Sequence, residues 1–237
     1  MQIESPPHAQ PRIPEAGVED LSPSCRSLGE STPAPAPRRL RPRALLVLGT
    51  LLWLSGIALG LASLWRYQRS PGARAEARSE WPKASAIARP TDRPVLLQFI
   101  HPHCQCSSAS LSELAKLLGR VATPPAVYIL FMRPDGLGAG WEESRNWAAA
   151  HRIAGASVLV DLDGAEARHF GAKTSGQTFV YGVGGELLFD GGLTSARGEV
   201  GDSVGGLRVL ATLGGVAPDR RESSVFGCSL DDPEAAG

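Results

Sequence analysis

The strongest constraint on this chain is a stretch in which an apolar segment ends in cysteines and histidines and an amphipathic helix begins at once. The stretch covers residues 99–118 and reads FIHPHCQCSSASLSELAKLL. The preceding residues 94–100 are short and apolar, which predicts a buried strand, and leucines at helical spacing follow the cysteines. A thiol on the first helical turn lies against unpaired backbone N–H groups and the positive end of the helix dipole. That position favours the thiolate, so these cysteines are candidate nucleophiles or metal ligands.

A second stretch constrains where the chain can reside. Residues 44–65 carry no charge over twenty-two positions. At about 1.5 Å of rise per residue, this length crosses a hydrocarbon core of about 30 Å. A cleaved signal peptide is the main alternative, but forty-three residues precede the run, which continues directly into Trp65-Arg66-Tyr67. The sequence therefore predicts an uncleaved, single-pass membrane helix over residues 44–65.

Basic residues set the expected orientation of this helix. Four arginines crowd its N-terminal flank, whereas those on the other flank are spread more thinly: Arg38, Arg39, Arg41 and Arg43 against Arg66, Arg69, Arg74 and Arg78. The denser cluster is expected on the cytoplasmic side. The prediction is a cell-membrane protein whose C-terminal domain is extracytoplasmic, and periplasmic if the organism is a bacterium.

The composition outside the membrane segment separates tails from a domain. Residues 1–43 hold nine of the nineteen prolines and lack periodic apolar residues, which predicts a disordered N-terminal tail. Residues 66–93 are rich in Arg, Ala, Ser and Pro and are predicted to form a juxtamembrane linker, and residues 215–237 a flexible C-terminal tail. The net charge is zero and the pI about 7.0, so no nucleic-acid partner is expected.

The remaining part, residues 94–214, alternates predicted strands and helices. Strands are predicted at 94–100, 126–132, 157–161, 178–183 and 186–189, and helices after the cysteines, at 141–151, at 165–170 and up to about residue 213. Gly184-Gly185 joins the last two strands as a tight hairpin. The pattern predicts an α/β domain with a mixed sheet flanked by helices.

The four cysteines divide between the two sides of the membrane. Cys25 belongs to the inner tail, while Cys104, Cys106 and Cys228 belong to the exported part. Three thiols in an oxidising compartment cannot all pair within one chain. At least one is therefore free, paired with another molecule, or bound to metal.

The order of elements and the position of the cysteines resemble the thioredoxin-like superfamily, in particular its membrane-anchored, extracytoplasmic branch. Three segments resemble the sequences of proteins described as RedB-like: FIHPHCQCSSASLSEL, GAKTSGQTFVYGVGGELLFDGG and SARGEVGD. This resemblance covers residues 94–213. It implies a thioredoxin-like fold, a thiol or disulfide protein substrate, catalytic cysteines and no bound cofactor.

Two departures from the thioredoxin pattern fall at the site. Cys104 matches the exposed first cysteine of the CxxC motif, but Ser107 holds the place of the second, and Cys106 gives a CxC spacing. A disulfide across so small a ring would be strained and easily reduced. Thioredoxins also place a cis-proline before the hairpin, where this chain has Gly176. A non-proline cis bond costs about 2.5–4 kcal/mol, so a trans peptide is expected there.

Metal binding is the first alternative for the cysteines. His101, His103, Cys104 and Cys106 form a soft set of N and S ligands suited to copper or zinc. Copper chaperones of the Sco type also combine two cysteines with a histidine, although with CxxxC spacing and a histidine far downstream. The two histidines can equally lower the pKa of a neighbouring thiol or be exposed polar residues at a strand end.

We therefore predict a membrane-anchored thiol–disulfide oxidoreductase in which Cys104 attacks and Cys106, expected to be less accessible, is the resolving or partner thiol. A copper metallochaperone and a redox-inactive scaffold of the same fold are the alternatives. Cys228 either is a free thiol on the flexible tail or folds back to resolve a mixed disulfide at Cys104. Asp161 and Asp190 are interpreted as ordinary acids at strand ends.

Overall fold

The computed structural model describes residues 42–231. The chain divides into two units, residues 1–49 and 50–237, and the described part of the first unit is the beginning of helix α1 (Pro42–Gln68). The predictions for the N-terminal tail, for Cys25 and for the arginines before residue 42 concern positions outside the described residues.

Helix α1 has the length and composition of a membrane span. It runs for 27 residues, none of them buried, and its mean hydropathy over the most apolar window is 2.2. It extends beyond the predicted residues 44–65 at both ends. A helix that is apolar all round lacks the polar face of a helix on a soluble domain, so α1 is a candidate membrane span or signal segment.

Five strands form one mixed sheet, which confirms the predicted fold class. They are β1 (Val95–Ile100), β2 (Ala126–Arg133), β3 (Ala156–Leu162), β4 (Gln177–Tyr181) and β5 (Leu187–Gly191). Their order across the sheet is β3-β2-β1-β4-β5. Strands β1, β2 and β3 are parallel, whereas β4 and β5 run antiparallel to their neighbours. The hairpin between β4 and β5 contains Gly185 at φ +94°, a backbone conformation that glycine adopts readily.

Four helices flank the sheet: α2 (Ser107–Leu118), α3 (Arg145–Ala150), α4 (Ala165–Phe170) and α5 (Val204–Leu213). Helix α3 is shorter than the predicted 141–151 because the side chain of Ser144 accepts the Trp147 N–H and caps the helix there. Helix α4 has the predicted bounds and ends at Gly171, whose φ is +81°.

The alternation of side chains along β1 divides the core between the two faces of the sheet. Leu96 and Ile100 pack with leucines of α2 and with Val209 of α5. Val95, Leu97 and Phe99 pack on the other face, with Phe170 of α4. The site described below lies where β1 ends and α2 begins.

The segment predicted as a linker, residues 66–93, contributes to the second of these clusters. The ring of Trp81 meets Phe170 and Tyr181 edge-on at centroid distances of 5.0 and 5.3 Å, and Ile87 is buried. The Trp81 N–H donates to the carbonyl of Gly185. The segment has little regular structure after α1, but the packed region begins well before residue 94.

The C-terminal segment also differs from the prediction of a flexible tail over 215–237. In its described part, Val225 and Leu230 are buried, and Lys173 pairs with Asp231 at 2.8 Å. Backbone hydrogen bonds join Asp190 to Arg221 and to Ser223. The prediction of a flexible tail missed this packing because the segment is held mainly by backbone hydrogen bonds, which leave no pattern of side chains in the sequence.

Candidate functional site

The turn between β1 and α2 is held by two buried serines. The backbone N–H of His101 donates to Ser175 Oγ at 2.7 Å, and Ser175 Oγ lies 2.6 Å from Ser107 Oγ. Both serine side chains are buried. The turn itself closes through Ser107 N–H to the carbonyl of Cys104 at 3.2 Å. Buried hydroxyls that satisfy one another in this way fix the position of the cysteine-bearing turn.

A buried amide from α3 holds the same turn from the other side. Asn146 Nδ2 donates to the carbonyl of Pro102 at 3.0 Å and to that of Cys104 at 2.8 Å. Both N–H groups of the amide are thereby used, and the carbonyls on either side of His103 are both paired. The turn is anchored to elements on two sides before α2 begins.

The structure brings the predicted cysteines together but reverses their expected exposure. Cys104 is fully buried, whereas Cys106, at the N-cap of α2, is half-buried. Cys228 is also half-buried, and its backbone N–H points at Cys104 Sγ at 3.4 Å. The expectation that Cys104 is the exposed thiol is therefore wrong: its side chain is buried, and the C-terminal segment contacts its sulfur.

The contacts among the three thiols shift their pKa values in opposite directions. Side-chain hydrogen bonds from Cys106 and then from Cys228, with smaller contributions from Ser107 and the Cys228 backbone, hold the pKa of Cys104 far below its usual range, although burial opposes this. Hydrogen bonding to Cys104 raises the pKa of Cys106 and of Cys228 in turn. The pKa of Cys104 is thus lowered while those of its two neighbours are raised, which favours Cys104 as the sulfur that ionises first.

The histidines beside the cysteines face an aromatic neighbour. His103 Nε2 lies 3.0 Å from the carbonyl of Trp141, and the two rings meet edge-on at 4.8 Å. His101 is buried, and its Nδ1 accepts the backbone N–H of His103 at 3.3 Å. The groups that lower the pKa of Cys104 are thiols, a hydroxyl and a backbone N–H, so the predicted influence of the histidines on the thiol has no support in these contacts.

The predicted metal ligands do not form a ligand set. Within residues 42–231, no three His, Cys, Asp or Glu side chains are placed to hold a metal ion. The two histidines turn toward Trp141, while the two cysteines turn toward Cys228. The N and S donors that the sequence suggested for copper therefore lie in different surroundings.

The loop before β4 forms the opposite wall of the site. No cis peptide occurs in residues 42–231, so the trans peptide expected at Gly176 is confirmed. The Gly176 N–H donates to the carbonyl of Phe99 at 2.7 Å, a bond that proline could not make. A Cβ at Gly176 would lie 2.7 Å from Ser110 Oγ, and its φ is +89°, so glycine suits this position in both space and conformation.

The C-terminal segment pairs with this loop as a short antiparallel strand. The Ser175 N–H donates to the carbonyl of Cys228 at 2.8 Å, and the Leu230 N–H donates to the carbonyl of Lys173 at 2.9 Å. An antiparallel bridge joins Thr174 to Ser229 between them. The pairing sets Cys228 directly against the cysteine turn.

An open cavity of about 730 Å³ leads to two of the three thiols. Its lining includes Cys106, Cys228, Arg197 and Tyr67. The guanidinium of Arg197 lies 4.9 Å from the centre of the Tyr67 ring and donates to the carbonyl of Gly227. It also favours the thiolate form of Cys106 through its charge. Cys106 and Cys228 are thus reached from solvent through a basic, partly aromatic opening.

The two acids predicted at strand ends have structural partners. Asp161 is buried and accepts the N–H groups of Glu166 and Ala167 at 2.8 and 2.9 Å, at the start of α4. Burial raises the pKa of Asp161, and these two bonds partly offset that effect. Asp190 pairs with Arg74 and accepts Gln177 Nε2 at 2.8 Å. Both fit the ordinary role that the sequence suggested.

Sequence reasoning missed Ser175, Asn146 and Arg197. Ser175 directly precedes Gly176, whose place in the thioredoxin pattern was recognised, so its neighbour could have been considered. Asn146 is the only asparagine in the chain, but its position on a short helix carries no signal of contact with residues 102–104. Arg197 lies in a polar loop where a charged residue is unremarkable.

The strand order and the position of the cysteines define a thioredoxin-like fold that carries three cysteines at one site. The parallel strands β1, β2 and β3, the antiparallel hairpin of β4 and β5, and the helices on both faces give its topology. The cysteines lie where β1 meets α2, opposite the loop before β4, which is the arrangement that the sequence resemblance implied.

No protein-family model matches the chain, and no curated protein matches it. Solved structures similar to it include an uncharacterized conserved protein from Geobacillus kaustophilus, at 18% identity and a TM-score of 0.48 over 69% of this chain and 93% of that one. A hypothetical protein from Sinorhizobium meliloti has 22% identity and a TM-score of 0.48 over 68% and 94%. The pneumococcal exposed lipoprotein thioredoxin from Streptococcus pneumoniae has 17% identity and a TM-score of 0.40 over 60% of this chain and 100% of that one. The fold assignment rests on the strand order of this chain.

Proposed function

We propose that this chain is a membrane-anchored thiol–disulfide oxidoreductase whose domain, residues 94–214 with the packed segments on either side, lies outside the cytoplasm. Cys104 is the attacking thiolate, and the neighbouring Cys106 thiol donates a hydrogen bond to its sulfur. The resemblance to RedB-like proteins, helix α1 and the arginines before it support the anchored topology. The substrate is a protein thiol or disulfide, and no cofactor is required.

The observation that carries this proposal is the convergence of three cysteines where β1 meets α2, with the Cys228 N–H 3.4 Å from Cys104 Sγ. Only a thiolate attacks a disulfide, and Cys104 is the sulfur whose pKa its neighbours lower. In the exchange, Cys104 Sγ forms a bond to one sulfur of the substrate disulfide, and the other sulfur leaves as a thiolate. A cluster of three thiols, one of them with a lowered pKa, serves this chemistry better than it serves a structural core.

The full chain in detergent micelles tests the proposal. Wild type is expected to catalyse exchange between a dithiol and a disulfide-containing peptide, and Cys104→Ser is expected to abolish the catalysis. Ser108→Ala is a matched control, because Ser108 is exposed and bonds only the carbonyl of Gln105 within its own turn. Full activity in Cys104→Ser would refute the proposal.

A further inference from the structure

The pairing between the C-terminal segment and the loop before β4 places an extended peptide containing a cysteine across the nucleophile. Residues 225–230, called here the C-terminal strand, read VFGCSL. They make antiparallel contacts with Lys173, Thr174 and Ser175. In this position the Cys228 N–H donates a hydrogen bond to Cys104 Sγ. This is the geometry of a peptide held by its backbone with its cysteine against the attacking sulfur.

We propose that the C-terminal strand is a tethered substrate: it occupies the site that binds a cysteine-containing peptide of the substrate, and Cys228 is the residue that forms the catalytic disulfide with Cys104. The inference rests on the proposed function and adds the identity of the disulfide partner and the nature of the peptide site.

Burial requires the C-terminal strand to move during exchange. Cys104 is fully buried and the strand lies against its sulfur, so we expect a substrate disulfide to reach the sulfur when the strand has moved away. The strand is secured by short polar contacts rather than by a large apolar face, since Val225 and Leu230 are its two buried apolar residues. Such segments open at a lower free energy than the core of a domain.

The return of the strand completes the reaction. After attack, Cys104 is joined to one substrate sulfur, and the first substrate thiolate has left and taken up a proton. Cys228 then loses its proton and attacks Cys104 Sγ, which forms the Cys104–Cys228 bond and releases the second substrate sulfur as a thiolate. Two protein thiols are oxidised and one substrate disulfide is reduced, so the two electrons balance without a further reagent. Thiol–disulfide exchange also runs in reverse, with a substrate dithiol as the reductant.

Cys228 is better placed than Cys106 to form this bond. A Cys104–Cys106 disulfide would close a very small ring within the turn that begins α2, where the Ser107 N–H is bonded to the carbonyl of Cys104. Cys228 approaches from a separate segment, 124 residues further along the chain, and carries no such restraint. Cys106 keeps its role as a hydrogen-bond donor that stabilises the Cys104 thiolate.

The contacts of Gly227 define which peptides fit. A Cβ at this position would lie 2.0 Å from the carbonyl oxygen of Ser175, a distance no side chain can keep. The Gly227 carbonyl accepts a hydrogen bond from Arg197. A substrate peptide that binds as the C-terminal strand does therefore has glycine immediately before its cysteine, and an extended backbone on both sides.

The first test maps disulfides in the full chain in detergent micelles, in a Cys25→Ser background. The reduced protein is treated with oxidised glutathione, quenched with acid, alkylated and digested for mass spectrometry. We expect a Cys104–Cys228 link in the parent and in Cys106→Ser. In Cys228→Ser we expect a persistent mixed disulfide between Cys104 and glutathione. A Cys104–Cys106 link in the parent, with Cys228 alkylated and Cys228→Ser still fully active, would overturn the inference and leave the proposed function standing.

The second test displaces the strand without altering any cysteine. Gly227→Val is expected to lower the yield of the Cys104–Cys228 link and to raise the alkylation rate of Cys104 by roughly tenfold or more, since local opening sets access to a buried thiol. Gly138→Val is the matched control, because a Cβ there meets nothing within 4 Å. Equal link yields and alkylation rates in the two variants would contradict a docked strand. Absence of exchange and of any disulfide in every variant would instead reject the proposed function.

Discussion

The backbone N–H of Cys228 lies 3.4 Å from Cys104 Sγ, although 124 residues separate them in the chain. This contact changes the chemistry of the site in two ways. It adds a backbone donor of a hydrogen bond to a buried sulfur, and it places a thiol that can be oxidised against that sulfur. The consequences can be measured separately.

The thiolate of Cys104 should persist at acidic pH. The ultraviolet absorbance of the thiolate is followed during acid titration of the full chain in the Cys25→Ser background. The midpoint of its loss is expected to lie below the usual cysteine pKa, and this transition is expected to be absent in Cys104→Ser. Cys106→Ala is expected to raise the pKa of Cys104, because the side chain that contributes most to lowering it is lost. A titration near the usual value of 9.0 in the parent would contradict the assignment of the charge to Cys104.

The same pKa shifts predict the pH dependence of stability. The folded pKa of Cys104 is depressed, so its contribution is complete above the unfolded pKa of 9.0 and is lost as the pH falls through the folded pKa. The pKa values of Cys106 and Cys228 are raised, so their contributions are present below 9.0 and are lost at higher pH. Between pH 5 and 8, the midpoint of thermal unfolding should therefore depend less steeply on pH in Cys104→Ser than in the parent. Parallel curves would refute this.

The sequence predicted most of the fold but only part of the site, and the physical reason differs between them. Strand β1 was predicted from a short apolar run that includes Leu96, Leu97 and Phe99, and the run is apolar because both faces of the strand pack in the core. Cys104 and Cys106 were found because the junction of strand and helix marks them. The exposure of Cys104 was not predictable, since it depends on the C-terminal strand, whose backbone pairing requires no particular side chains except the glycine at 227.

Asn146→Ala should destabilise the domain and disturb the site. The substitution leaves the carbonyls of Pro102 and Cys104 without their donors, and an unsatisfied buried polar group costs about 1–3 kcal/mol. The midpoint of thermal unfolding and the rate of exchange should both fall. Ser108→Ala, on the exposed side of the same turn, serves as the comparison, and an equal effect of the two substitutions would contradict the anchoring role of Asn146.

Trp81→Ala tests whether residues 66–93 belong to the packed domain. Trp81 is half-buried against Phe170 and Tyr181, so we expect a loss of about 2 kcal/mol, below the 3–5 kcal/mol typical of a fully buried Trp. Lys83→Ala, at an exposed position two residues further on, should cost little. A similarly small effect at Trp81 would return the segment to the role of a simple linker.

The predicted topology can be checked with protease. Protease added to spheroplasts that express the chain should remove the domain after α1 and spare the N-terminal tail, because the arginines before residue 44 are expected to stay in the cytoplasm. Protection of the domain in intact spheroplasts, with cleavage only after lysis, would place it inside and reject an extracytoplasmic site.

A synthetic peptide with the sequence of the C-terminal strand provides the most direct test of the peptide site. In the Cys228→Ser protein the tether remains but its thiol is gone, so the peptide SVFGCSL, activated as a disulfide, should form a mixed disulfide with Cys104 when it displaces the strand. The same peptide with valine in place of glycine should react much more slowly, because its side chain would occupy the position 2.0 Å from the Ser175 carbonyl. The rates are compared by mass spectrometry against a small activated disulfide, which reports access to Cys104 alone. Equal rates for the two peptides would show that Ser175 does not select the residue before the cysteine.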